Sequence, residues 1–277
     1  RDMFRYKGQD NKERIMYVGS GCSEAWFRNA PQSLGGQGAA SVLRSLVDEY
    51  ETADGVALKD LPAAEREKLQ KDPLAVARDP RLYETVVLPG DNSSFIDYVY
   101  EPFKDGADQV GKVGASRTGY WAKKYLNEED RSNNGNGSLY FPLYRYAEVL
   151  LDYVESLVET GDWQNPDVEK YINMIRNRAG MPNMDKTVYN SQEKVRELYR
   201  RERRVEFGFE GKRYDDIRRW NIGAQTMSGS IQGAWNPKTN SFVTIEERNC
   251  TFPKNDSWPL PQDEVTANPN ISQPTGW

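Results

Sequence analysis

The sequence predicts a mainly α fold, a helical scaffold that carries irregular loops and short strands. Three observations predict it. Apolar residues recur at steps of three and four through residues 144–160, 166–179 and 191–207. Helix punctuation brackets those runs, with Asn165-Pro166 opening the second and Gly161 and Gly180 closing the first two. On either side lie only short apolar runs between long loops, and Gly, Asn and Pro are frequent after Trp220.

Taken in order, residues 1–33 read as irregular with one strand at residues 14–18, and polar and aromatic residues alternate from Cys22 to Asn29. Leu34-Gly35-Gly36-Gln37-Gly38 reads as a flexible turn; no Lys-Ser/Thr follows it and no strand precedes it, so it is not a phosphate cradle. Residues 42–50 form a short helix with Leu43, Leu46, Val47 and Tyr50 as its apolar side, and residues 61–71 a charged, solvated one. Residues 84–88 read as a strand that Pro89-Gly90 turns. Residues 91–116 are a long loop bearing Phe95, Tyr98, Tyr100 and Phe103; residues 119–125 are strand-like with core-facing rings; residues 130–138 are a polar loop.

The first scaffold helix suits a start at Pro142. Leu143, Tyr146, Ala147, Leu150, Val154, Leu157 and Val158 fall on one face, and Glu148, Asp152, Glu155 and Glu159 on the other. Val168, Tyr171, Ile172, Ile175 and Ala179 stripe the second, which Gly180 ends and Pro182 keeps from resuming. The third begins near Asn190 or Ser191 and buries Val195, Leu198, Tyr199, Val205 and Phe209. Its other side reads as an exposed weave of Glu193, Arg196, Glu197, Arg200, Arg201, Arg203 and Glu206, each pair contributing about 0.2–0.5 kcal/mol. Tyr214, Ile217 and Trp220 start a last short turn, and hairpins and coil follow. The chain divides into a loop-rich part at residues 1–140, the helical scaffold at 141–222 and an irregular tail at 223–277. The first helix pair is tetratricopeptide-like in shape but lacks that repeat's residue signature.

Composition narrows the function. The chain has 277 residues, 37% apolar and 29% charged, with 16 Tyr, 9 Phe and 7 Trp to build a core. No run approaches the ~18 apolar residues of a membrane helix. A net charge of −5 argues against nucleic acid as a partner, because neutralising phosphates needs a basic surface. There is no histidine, which removes Ser-His-Asp and Cys-His devices and every His-ligated metal site, and no Gly-x-Ser-x-Gly. The 42 acidic residues make carboxylate pairs too common to mark a glycosidase. Asp130, Ser132, Asn134 and Gly135 match the first landmarks of a calcium loop, but Phe141 stands where the bidentate glutamate belongs, so a solvated turn is expected and no metal. Cys22 and Cys250 are too few for a disulfide framework, and two free thiols are the plainer reading.

Five separated motifs carry a resemblance. They are Arg145-Tyr146-Ala147-Glu148-Val149-Leu150-Leu151; Ile175-Arg176-Asn177-Arg178-Ala179-Gly180-Met181-Pro182; Glu202-Arg203-Arg204-Val205-Glu206-Phe207; Phe209-Glu210-Gly211-Lys212-Arg213-Tyr214; and Asp216-Ile217-Arg218-Arg219-Trp220. With the closing Trp258-Pro259-Leu260-Pro261-Gln262-Asp263-Glu264, Asn268-Pro269-Asn270 and Gly276-Trp277, the chain resembles the C-terminal half of the SusD/RagB family of outer-membrane nutrient-binding lipoproteins. The resemblance implies a SusD-like fold. It also implies a function at the extracellular face of the cell outer membrane, where the protein binds a nutrient and passes it to a SusC-like TonB-dependent transporter over which it sits as a lid. Family members carry an export signal and an N-terminal lipid-anchor cysteine. Neither occurs here, so the chain is read as an incomplete C-terminal portion. Binding of this kind is non-covalent, with no catalysis and no cofactor. A glycan is the first-choice ligand and an oligopeptide the alternative. A glycan-active hydrolase and a purely structural subunit are the readings from other classes.

Sugars present an apolar C–H face and a rim of hydroxyls, so a flat ring in a loop stacks on the first while Asn, Asp, Gln and Arg bond the second. The expected ligand-binding residues are Trp26, Phe27, Arg28 and Asn29 in one loop and Phe95, Tyr98 and Tyr100 in another. Trp26 leads, since no helical stripe explains it. If its segment is extended, Phe27 points the other way and one of the two rings is buried. Tyr98 and Tyr100, two apart, are expected to share a face. Arginine-rich motifs such as Arg218-Arg219-Trp220 are assigned to scaffold rather than to an anion site.

Overall fold

Local spacing becomes helix where it is densest. The computed structural model describes residues 2–4, 11–20, 25–92, 97–132 and 139–277. Along the chain run β1 (Arg14–Ser20), α1 (Ala25–Asn29), α2 (Arg44–Val47), α3 (Ala63–Lys71), α4 (Pro80–Thr85), β2 (Val86–Val87), β3 (Trp121–Ala122), α5 (Glu128–Ser132), β4 (Leu139–Arg145), α6 (Tyr146–Glu159), α7 (Pro166–Arg178), α8 (Gln192–Glu206), α9 (Arg213–Arg219), α10 (Gly223–Thr226), β5 (Gly229–Asn236), β6 (Ser241–Arg248) and α11 (Gln262–Ala267). Antiparallel pairs join β1 to β4, β2 to β3 and β5 to β6. The architecture is mainly helical.

Helices α6, α7 and α8 form the scaffold. The Asn165 side chain caps α7 by accepting from the Asp167 amide at 3.0 Å, and Ser191 caps α8 by accepting from Lys194 at 3.3 Å. Gly161 and Gly180 close α6 and α7 with φ of 93° and 80°, angles that L side chains rarely adopt. Val154, Val158, Val168, Ile172, Val195, Leu198 and Tyr199 interlock between the three helices, and Trp220 seals the cluster edge-on to Tyr199. A second cluster joins Val42, Val47, Tyr50, Leu82, Val86, Tyr120 and Val205, so the scaffold and the preceding loops share a core.

Several elements differ from the sequence reading, each for a tertiary reason. Pro142 lies in β4, not at a helix start, because the chain stays paired with β1 until the Tyr146 amide donates to Glu13 O at 2.8 Å. Leu143 and Tyr146 are consequently exposed. The strand expected at residues 84–88 shrinks to Val86–Val87, because Asp79 caps α4 by accepting from the Arg81 amide at 2.9 Å, with Pro80 as first helical residue. The helix expected over 42–50 is cut to one turn, Arg44–Val47. The polar loop expected at 130–138 opens instead inside α5, where Asp130 is buried. That places two of the calcium-loop landmarks in a helix, while Asn134 and Gly135 lie outside the described residues. Cys22 lies outside them too, and Cys250 carries a free thiol.

The largest correction concerns charge. Glu148 and Glu155 on α6, and Arg201, Arg203 and Glu206 on α8, are buried rather than solvated, as is Glu202 beside them. Their partners are on other elements. Arg145 bonds Glu206 at 2.7 Å and Glu210 at 2.7 Å; Arg81 reaches Asp79, Glu202 and Glu206; Arg176 bridges Glu51 and Glu202; Arg203 grips Asp216 at 2.8 Å. Buried ions of this kind are tolerated when opposite charges and hydrogen bonds compensate their desolvation, and here planar guanidinium forks face most of the carboxylates. The motifs that carry the family resemblance are largely this lattice, which ties the scaffold to the N-terminal loops.

Candidate functional site

The two loop segments that the sequence singles out meet in space. Trp26, Ala30 and Leu34 pack with Val87, Tyr100, Trp121 and Leu126, and Tyr98 lies against the rim of that cluster. Residues 25–29 are helical, not extended, so Trp26 and Ala30 fall on one side while Phe27 and Arg28 face solvent.

This decides which rings a ligand can reach. Trp26 is 2% exposed, and its indole N–H donates to Leu34 O at 3.0 Å. Tyr100 is fully buried and meets Trp121 edge-on at 6.1 Å. Neither ring offers a face for stacking in this arrangement, which corrects the expectation placed on them. A large ring gains most free energy by leaving water, and the core had room for both. One ring of the Trp26–Phe27 pair is buried and the other exposed, but the exposed one is Phe27, at 45%. Arg28 is exposed and Asn29 half-buried. Phe95 lies outside the described residues.

Tyr98 is held by groups that no sequence signal pairs with it. Its hydroxyl donates to Asp108 Oδ2 at 2.7 Å. Ser33 Oγ bonds the same carboxylate and lies 2.6 Å from the phenol oxygen, while the Ser33 amide donates to Asp108 Oδ1 at 3.1 Å. Burial, together with the Asp108 carboxylate, pushes the Tyr98 phenol above its ordinary range, so it remains a donor at neutral pH. Ser33 and Asp108 are 75 positions apart, a separation at which a single sequence carries no pairing signal.

The turn after α1 is pinned rather than flexible. Gln37 donates to Phe27 O, Ala39 to Arg28 O and Gly38 to Ala30 O, at 2.7–2.9 Å. Gly36 is required there, because a Cβ at that position would lie 2.0 Å from the Ala30 carbonyl oxygen. The result is a rigid ledge from residue 25 to 38 braced against the 98–118 loop, with an exposed ring and a guanidinium on its outer side. Among the described residues no group of three His, Cys, Asp or Glu is placed to hold a metal, and no helix is long and apolar enough to cross a membrane. The ledge has the chemistry of a contact surface: one flat apolar ring beside hydrogen-bonding groups.

The fold and this surface define a helical scaffold that presents braced loops. The sequence model of the SusD family matches residues 3–277, and the chain belongs to that family. Among curated proteins, SusD-like protein P2 of Formosa agariphila is 30% identical over 183 residues, which are 63% of this chain and 32% of that protein. A SusD-like carbohydrate binding protein of Bacteroides fragilis superposes with a TM-score of 0.81 at 30% identity, covering 98% of this chain and 56% of its own. A second SusD-like protein of the same species gives a TM-score of 0.78 at 27% identity, covering 100% of this chain and 56% of its own. The chain thus spans about half the length of these solved relatives and about a third of the curated one.

Proposed function

We propose that this chain belongs to a non-enzymatic nutrient-binding protein of the cell surface, that its ligand is a glycan, and that the ledge at residues 25–38 contributes to the binding surface. Membership of the SusD family carries this reading, supported by the 30% identity to a relative described as a carbohydrate binding protein. The exposed Phe27 ring beside Arg28 and Asn29 supplies the stacking face and rim donors that a sugar needs. The protein acts at the extracellular face of the outer membrane and hands its ligand to a SusC-like TonB-dependent transporter. It needs no cofactor.

A glycan and peptide array followed by calorimetric titration tests the ligand class. Phe27→Ala is expected to weaken glycan binding by about 2 kcal/mol without changing thermal stability, as for an anchoring ring in a desolvated contact. Wild-type affinity in Phe27→Ala removes the ledge from the site. Binding of peptides alone replaces the glycan with the oligopeptide alternative, and release of cleaved sugar makes the protein an enzyme. Purification from outer membrane in mild detergent tests the partner: recovery only as a lone chain counts against the transporter complex.

A further inference from the structure

A second cleft, sharing no residue with the ledge, is built for charge. It encloses about 480 Å³ between the 58–60 turn, α3, α8 and α9, within the ~300–1,000 Å³ range of ligand pockets. Six cationic side chains line it, namely Lys59, Arg66, Arg200, Arg201, Arg204 and Arg213, against the carboxylates of Asp48, Glu49 and Glu197. The chain as a whole is net acidic, so this local excess of cations is a property of the cleft.

The three carboxylates are already engaged. Glu49 takes Arg204 at 2.6 Å, Glu197 takes Lys59 at 2.6 Å, and Asp48 takes the Gln70 amide at 2.9 Å and Arg44 at 3.3 Å. Arg201 is committed to Glu51 at 2.7 Å, and Arg200 reaches Glu159 and the Tyr199 hydroxyl outside the cleft, each at 3.4 Å. Two guanidiniums remain. Arg66 bonds a single backbone carbonyl, that of Lys59 at 3.1 Å. Arg213 is half-buried over the Trp220 ring and makes no ion pair or side-chain hydrogen bond with any described residue. Burial first, then Arg204 and Arg200, pull its pKa down to about 10, against Glu49 and Asp216, which act the other way without bonding it.

We propose that this cleft binds an anionic sugar, with a carboxylate or sulfate ester group received by Arg213 and Arg66. An oxyanion supplies the direct ion pair that no described residue gives Arg213, and guanidinium forks match its geometry in two-point fashion. The Gln70 carbonyl and the Thr226 hydroxyl oxygen can accept from ring hydroxyls, while the Gln70 amide donates to Asp48 and the Thr226 hydroxyl to Ile222 O, and Leu58 and Ile222 give an apolar wall. The proposal rests on the glycan reading for the sugar, and on the cleft alone for the charge.

Calorimetric titration at low ionic strength compares glucuronate, glucose 6-sulfate, glucose and inorganic sulfate. At least one charged sugar is expected to bind with glucose weaker by about tenfold, and Arg213→Gln and Arg66→Gln are each expected to cost about tenfold, the worth of one charged hydrogen bond. Added salt weakens the interaction. Which of the two charged sugars binds names the anionic group. Charged sugars binding no better than glucose, or undiminished in Arg213→Gln, overturns the cleft proposal, and a glycan affinity that still depends on Phe27 then leaves the ledge reading standing. Inorganic sulfate binding as tightly as glucose 6-sulfate, with Arg213 required, overturns the sugar as ligand. Arg213 makes no ion pair with any described residue, so its variant is expected to fold like the wild type.

Discussion

Replacing Glu206 by Ala tests the buried ion lattice at its centre. The Glu206 carboxylate is 5% exposed and accepts from Arg145 at 2.7 Å and Arg81 at 3.0 Å, with Arg178 in contact as well. Removing it strands part of three guanidinium charges. Arg145 keeps Glu210 at 2.7 Å and Arg81 keeps Asp79 at 2.6 Å, so neither is left bare, but the compensation is incomplete. Breaking a buried ion cluster from one side costs about 3–5 kcal/mol, and at roughly 2–4 °C per kcal/mol for a chain near this size the melting temperature should fall by about 6–20 °C. The pH dependence has a defined sign. Burial alone would raise the Glu206 carboxyl, but Arg145, Arg178 and Arg81 outweigh it and hold it well below the ordinary range. Its folded pKa therefore lies under its unfolded one. The stabilisation is complete above the unfolded value of about 4.3 and is lost as pH falls through the folded value. Thermal melts followed by circular dichroism over an acid pH series measure both effects. Glu193→Gln, an exposed change on the same helix, is the control. A Glu206→Ala loss below about 1 kcal/mol, the level of surface pairs, would refute the argument that this lattice holds the scaffold to the loops.

Three further outcomes are expected. Glu159, bonded by Arg196 at 2.7–2.8 Å and Tyr199 at 2.6 Å, has its pKa lowered to about 2; an NMR titration should find it there, and Arg196→Ala should return it toward the ordinary carboxylate range. Asn165→Ala removes the α7 cap and should cost about 1 kcal/mol in denaturant unfolding. Leu150→Asp puts an unpaired carboxylate among Ala147, Leu151, Ile175 and Phe207 and should abolish cooperative unfolding; a variant that melts like wild type would show that this face is not core.

What the sequence determined by itself is local. Helices α6, α7 and α8 were legible because a 3.6-residue period, the capping Asn165 and Ser191 of α7 and α8, and the terminating Gly161 and Gly180 of α6 and α7 all act within a few residues of their helix. The SusD family was legible because its motifs are contiguous. The buried charges were not. Glu202, Arg203 and Glu206 at helical spacing look the same whether their partners are water or Arg176, Arg81, Arg145 and Asp216, and only the packing of distant elements brings those partners to 2.7–3.1 Å. The same limit governs the ligand-facing ledge. A Trp and a Phe side by side in an irregular stretch are equally apolar, and which one leaves water depends on whether the backbone there is a strand or a turn of helix. It is helix because the chain folds back on α1 through backbone bonds from Gln37, Gly38 and Ala39, made possible by a glycine at 36. Tyr98 owes its place to Asp108 and Ser33, and Arg213 its lack of an ion pair among the described residues to carboxylates already taken by neighbours. Each of these is a competition among groups far apart in the chain, and its outcome exists only once the tertiary structure has set who is close enough to compete.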